Sequence, residues 1–89
     1  MPYIKQETRK TVDAEIDSLI KKAKYFNEDG RNGLANYIIY KFVCGVYPPT
    51  SYDSVSDGIK TFECAKLEYI HRKLGPYEDA KRDENGDVL

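Results

Sequence analysis

The residues best suited to chemistry lie close together in "ECAKLEYIHRKLGPYED". Lys66, Tyr69, Arg72, Lys73 and Tyr77 combine cations with flat aromatic rings. Arginine and lysine can hold phosphate oxygens while a tyrosine ring stacks on a base. Lys66, Tyr69 and Lys73 are spaced for one helix face, with Arg72 beside them. That set fits a nucleotide-like anion. A plainer account is a solvated helix face whose cations pair with Glu63, Glu68 and the acids of the tail.

Glu68 and His71 form a second constellation. A Glu and a His three residues apart share a face, as in the half-sites of di-iron helical bundles. A complete site needs two such motifs and further carboxylates, which a dimer would supply with Glu63 or an acid of the first helix. Spacing of this kind also arises by chance in any charged helix, with Glu68 then paired to Arg72 at i+4. No resident metal or cofactor is expected. Cys44 and Cys64 have no CxxC partner, and Cys64 lies two helical turns from His71, beyond hydrogen-bond reach. Both cysteines read as small core residues. P-loop, dinucleotide-binding and GxSxG patterns are missing from the sequence, so catalysis has no positive support and a non-enzymatic binder is expected.

These residues must be carried by a chain of 89 residues, room for one domain and one core. Chains this short bury a smaller fraction of their surface and often gain stability by self-association. Charge is balanced, 14 Lys+Arg against 15 Asp+Glu, which disfavours binding to duplex nucleic acid. Eight tyrosines and no tryptophan suit subunit interfaces and base stacking equally. "MPYIKQETRK" has no apolar export signal, and no apolar run is long enough for a bilayer. The expectation is a cytoplasmic protein with reduced thiols and no membrane contact.

Apolar spacing predicts an all-α fold of three helices in a single domain, residues 1–89. Residues 1–10 read as an extended arm. Val12, Ile16, Leu19, Ile20, Ala23 and Phe26 give one buried stripe to a helix over 11–26, capped by Thr11 or Asp13. "NEDGRNG" reads as a turn. A helix over 33–46, capped by Asn32, follows; its Ile, Tyr, Phe and Val content also suits a strand, but length and spacing favour helix. A long third helix over 52–74 starts at Ser51 or Asp53 and stops at Gly75-Pro76. It carries two apolar stripes, one of them Val55, Ile59, Phe62 and Tyr69, the other Cys64, Leu67, Ile70, His71 and Leu74. Two stripes need two partners, so a homodimer or larger oligomer through this helix is expected. The charged tail 76–89 reads as half-disordered, or as folding back to pair Val88-Leu89 beside Tyr3-Ile4.

"MPYIKQETRK", "LANYIIYKFV", "ECAKLEYIHRKLGPYED" and "ENGDV" together resemble a family of small uncharacterised proteins of bacterial, archaeal and phage genomes. The resemblance implies a mainly helical, phage-linked accessory protein. "VSDGIKTFECAKLEYIHRKL" is similar in style to the helical hairpins of phage anti-defence sponges, small oligomers that sequester nucleotide immune signals. What that likeness implies is sequestration at a subunit interface, with Lys66, Arg72 and Lys73 on phosphate and Tyr69 or Tyr77 on the base. A protein–protein adaptor docking through the long helix is the rival expectation.

Overall fold

The computed structural model describes residues 2–89. Its elements are all helical, with no strand among the described residues: α1 (Gln6–Lys10), α2 (Asp13–Tyr25), α3 (Glu28–Val46), α4 (Tyr52–Tyr69), a π-helical turn (Ile70–Leu74) and α5 (Gly75–Asn85). The all-α expectation holds, and so does a long final helix, but with α4, the π turn and α5 taken as one rod there are four helices among the described residues where three were expected, α1 being the addition. The final helix is longer than the residues suggest, because α4, the π turn and α5 join without a break; Leu74 and Gly75 both keep right-handed helical dihedrals.

Gly75-Pro76 does not end the rod. Proline has no N–H to give and its ring crowds the carbonyl one turn back, which normally breaks a helix. Here the preceding turn is widened: the Gly75 N–H reaches the Ile70 carbonyl five residues back. Wide turns of this kind insert one residue into an α-helix and absorb a local misfit. Pro76 then occupies the opening turn of α5, where its missing donor is tolerated. The tail is therefore helical as far as Asn85, and Gly86 stops it with φ 91°, a region glycine enters freely. Val88 and Leu89 are fully exposed, and the Leu89 N–H donates to Asp87 Oδ1 at 3.1 Å rather than to the N-terminal arm, so the two termini do not meet as strands.

The arm and first turn also differ from expectation. Residues 6–10 coil into α1, and Val12 rather than Thr11 or Asp13 precedes α2. Thr11 instead turns back, its hydroxyl donating to the Thr8 carbonyl at 2.6 Å. "NEDGRNG" is helical rather than a turn. Asn27, not Asn32, caps α3 by accepting the Gly30 N–H at 3.1 Å, and Glu28 and Asp29 suit the positive end of the dipole. Arg31 clasps the end of α2, donating to the carbonyls of Lys24 at 3.1 Å and Phe26 at 2.9 Å. Ser51 caps α4 as expected, accepting from the Ser54 N–H at 3.1 Å.

Each helix packs only against its neighbour in the chain. The tightest place is the corner between α3 and α4. Gly58 has no side chain there; a Cβ on it would come within 3.2 Å of Val43 Cγ1 and 3.4 Å of Tyr47 Cβ. Val43, 7% exposed, is the one buried hydrophobic side chain among the described residues. Away from the corner the helices diverge. The α2 stripe has the expected members, yet Val12, Ile16, Leu19, Ile20 and Phe26 each remain 42–48% exposed. Cys44 and Cys64, expected in a core, are free and exposed. The accessible surface is 8147 Å², against about 5,300 Å² for a compact monomer of this mass. The radius of gyration is 16.7 Å, where a closed domain of this length has about 12 Å.

Candidate functional site

The sequence-derived cluster lies along the long helix on both sides of the π turn. Lys66 and Tyr69 belong to the last turns of α4, Arg72 and Lys73 to the π turn, and Tyr77 to the first turn of α5. The inserted residue rotates everything beyond it by roughly 100° relative to a regular helix. The line of three- and four-residue spacings from Lys66 to Tyr77 is therefore interrupted. Lys66 pairs with Glu63 at 3.6 Å on an exposed face. Tyr69 and Tyr77 are exposed plates, and Lys81 Nζ stands 5.8 Å from the centre of the Tyr77 ring. Among the described residues no hydrogen bond or ion pair joins these five residues to each other.

Arg72 is engaged, by a group the local sequence pattern does not point to. The N-terminal arm crosses the rod and places Tyr3 over it. The Tyr3 hydroxyl donates to Glu68 and accepts from Arg72 Nη1 at 3.0 Å. The guanidinium carbon lies 5.9 Å from the centre of the Tyr3 ring, within range of a cation–π contact. Arg9 steadies the arm by donating from Nε to the Ile4 carbonyl at 2.7 Å. Glu68 and Arg72 thus share a tyrosine instead of forming the i+4 ion pair the spacing allows. The Glu68 carboxylate raises the Tyr3 pKa above its ordinary 10.0, as does its partial desolvation, while the Arg72 charge pulls the other way. Tyr3 could have been suspected only as a lone aromatic behind Pro2 in a polar arm; its partners are 65 and 69 residues away.

Around the π turn, His71, Arg72, Gly75, Pro76 and Asp79 line an open groove of about 540 Å³. Its floor is Gly75, where no side chain stands. The wall is mixed in sign, since Asp79 faces the same space as Arg72. A phosphate there would meet one carboxylate along with the cations. No group of three or more metal-ligating side chains gathers among the described residues, so Glu68 and His71 have no third ligand within one chain. On α3, the Cys44 thiol beside the Tyr40 hydroxyl raises the Tyr40 pKa above 10.0. No helix among the described residues is long and apolar enough to cross a membrane.

Residues 1–88 match the family described as Domain of unknown function (DUF6899), and the chain belongs to that family. Neither the curated proteins nor the solved structures give a match.

Proposed function

We propose that this chain is a non-enzymatic interaction protein whose working form has its apolar helix faces covered by another protein chain. The supporting observation is the bare surface. Apolar and aromatic residues run right round α3, and a helix of that composition belongs inside a structure. In one chain only its α2- and α4-facing sides are covered. Ile39, Phe42 and Val46, which share a face, stay 52%, 64% and 50% exposed. Contiguous bare apolar surface of this extent marks protein–protein contact in a protein that stays in solution. Of the expectations raised by the residues, an adaptor or accessory role through helical docking accounts for this surface directly.

A nucleotide-sequestering role is the second reading, supported by Tyr69 and Tyr77 exposed on either side of Arg72 and Lys73. It requires the arm to yield Arg72 or a second chain to enclose the groove. The two readings separate in one experiment. Native mass spectrometry of the purified protein, with and without a panel of cyclic dinucleotides and ADP-ribose derivatives, reports both bound chains and bound small molecules. The interaction reading expects a multi-chain species without added ligand. A lone folded chain that takes up one nucleotide stoichiometrically would replace it with the sequestration reading.

A further inference from the structure

Residues 2–10 are joined to the rest of the molecule at two places. One is the chain itself, through Thr11 and Val12 into α2; α1 packs on no other helix. The other is Tyr3 on the long helix. No other hydrogen bond or ion pair among the described residues joins groups more than 14 residues apart. Internally the segment is a unit. The Lys5 carbonyl accepts the Arg9 N–H at 3.1 Å, and Arg9 Nε donates to the Ile4 carbonyl at 2.7 Å. Lys5, Glu7, Arg9 and Lys10 are exposed and enter no ion pair among the described residues. One side chain therefore pins the whole segment to the rod.

The seat for that side chain depends on the π turn. A hydroxyl has one proton to give and lone pairs to receive, so Tyr3 serves Glu68 and Arg72 at once only where both reach the same side of the rod. In a regular α-helix, residues four apart are about 40° out of line. The wide turn opens at Ile70, between the two, and spreads one rotation over more residues. Part of that offset is removed, and Arg72 stands more nearly above Glu68. The same Arg72 lines the groove with His71, Gly75, Pro76 and Asp79. Its face and one of its donors are taken by the Tyr3 ring and hydroxyl.

We propose that residues 2–10 form a releasable strap, pinned by Tyr3 to a seat made of Glu68 and Arg72, and that Pro76 positions this seat through the π turn it imposes. Pinned, the strap crosses the rod and holds Arg72 beside the groove. Released, it swings about Thr11 and Val12, and Glu68 and Arg72 can close on each other as the ion pair their spacing allows. Arg72 then answers to Glu68 or to a group entering the groove, and no longer to Tyr3. Neither state is fixed by burial, since Tyr3 is 50% and Ile4 45% exposed. The strap goes beyond the interaction reading and does not depend on it.

Spin labels test the strap and its seat together. With Cys44→Ser and Lys10→Cys, labels at position 10 and on the exposed Cys64 report the distance from α1 to α4. Dilution with excess unlabelled protein restricts the reading to distances within one chain. The parental strap gives one narrow distance. Tyr3→Ala and Arg72→Ala each broaden it roughly twofold or more, with helicity unchanged. Pro76→Ala tightens the turn, as backbone chemical shifts report, and broadens the distance as well. Adding Pro76→Ala to Tyr3→Ala broadens it no further, the mark of two changes acting on one contact. Ala80→Gly weakens α5 without altering the turn and leaves the distance narrow. A parental distance that is already broad, or one unchanged in Tyr3→Ala, overturns the strap. Four results overturn the positioning role of Pro76 and leave the strap standing: a narrow distance in Pro76→Ala, a turn that stays wide there, further broadening in the double variant, or equal broadening from Ala80→Gly.

Discussion

Val43 and Phe42 are neighbours in the chain and end in opposite surroundings. Val43 is the buried centre of the α3–α4 corner, 7% exposed, while Phe42 on the next face stands 64% exposed. The difference comes from what lies opposite. α4 brings Gly58 to the corner, and the absent side chain lets Val43 and Tyr47 close against its backbone. Opposite Phe42 the same chain brings nothing. A short chain that turns back on itself can build tight corners, but three diverging helices cannot also cover their outer faces. The packed corner is therefore the chain's own, and the bare face is the one that, in the function proposed, another chain covers.

Substitutions at these neighbours break that comparison most directly. Phe42→Asp has little to disturb in an isolated chain. In an assembly it buries an unpaired carboxylate and abolishes association, with at least a hundredfold loss of affinity by sedimentation. Unchanged association would mean that the α3 face is left open. Val43→Ala removes two buried methyl groups and leaves a gap at the corner. It is expected to cost about 2 kcal/mol in urea unfolding at fixed protein concentration, whichever chain covers the rest.

Smaller effects sharpen the contrast along the rod. Pro76→Ala restores a backbone donor and removes the reason for the widened turn. The Gly75 N–H should move from Ile70 to the carbonyl four residues back, stabilising the helix by about 1 kcal/mol; backbone chemical shifts would show the change. Tyr3→Phe removes the hydroxyl shared by Glu68 and Arg72. The arm then loses a few-fold of hydrogen-exchange protection around Arg9, with the α3–α4 corner unaffected. The same contact has a pH dependence of known sign. Because docking raises the Tyr3 pKa, the contact is fully present below the free-phenol value near 10 and is lost as pH rises through the raised value. Arm release at lower pH with the phenol still protonated would contradict it.

Much of the fold was legible from local pattern. The α2 stripe, the helical nature of α3 and the Ser51 start of α4 follow from spacing and capping, and the structure has them. Failures came where a second local effect outweighed the first. Asn27 and two acids start a helix through Gly30 and Gly33, although two glycines by themselves signal a turn. A widened turn admits Pro76, although proline by itself signals a stop. The docking of Tyr3 was illegible for another reason: it joins groups 65 residues apart, and no short-range periodicity encodes such a meeting. Of the five cation and aromatic positions of the candidate site, Lys66, Tyr69, Arg72 and Lys73 lie on the long helix as expected, while Tyr77, expected in an irregular tail, lies on its continuation α5. The interruption of their regular alignment was not legible, because the rotation at the π turn cannot be read from spacing.

The most direct test is a dilution series followed at once by far-ultraviolet circular dichroism, thermal unfolding and sedimentation. If the bare helix faces are covered by another chain, Tm and helicity fall together as the protein dissociates on dilution. A folded monomer whose Tm stays constant over a thousandfold range of concentration would contradict the account.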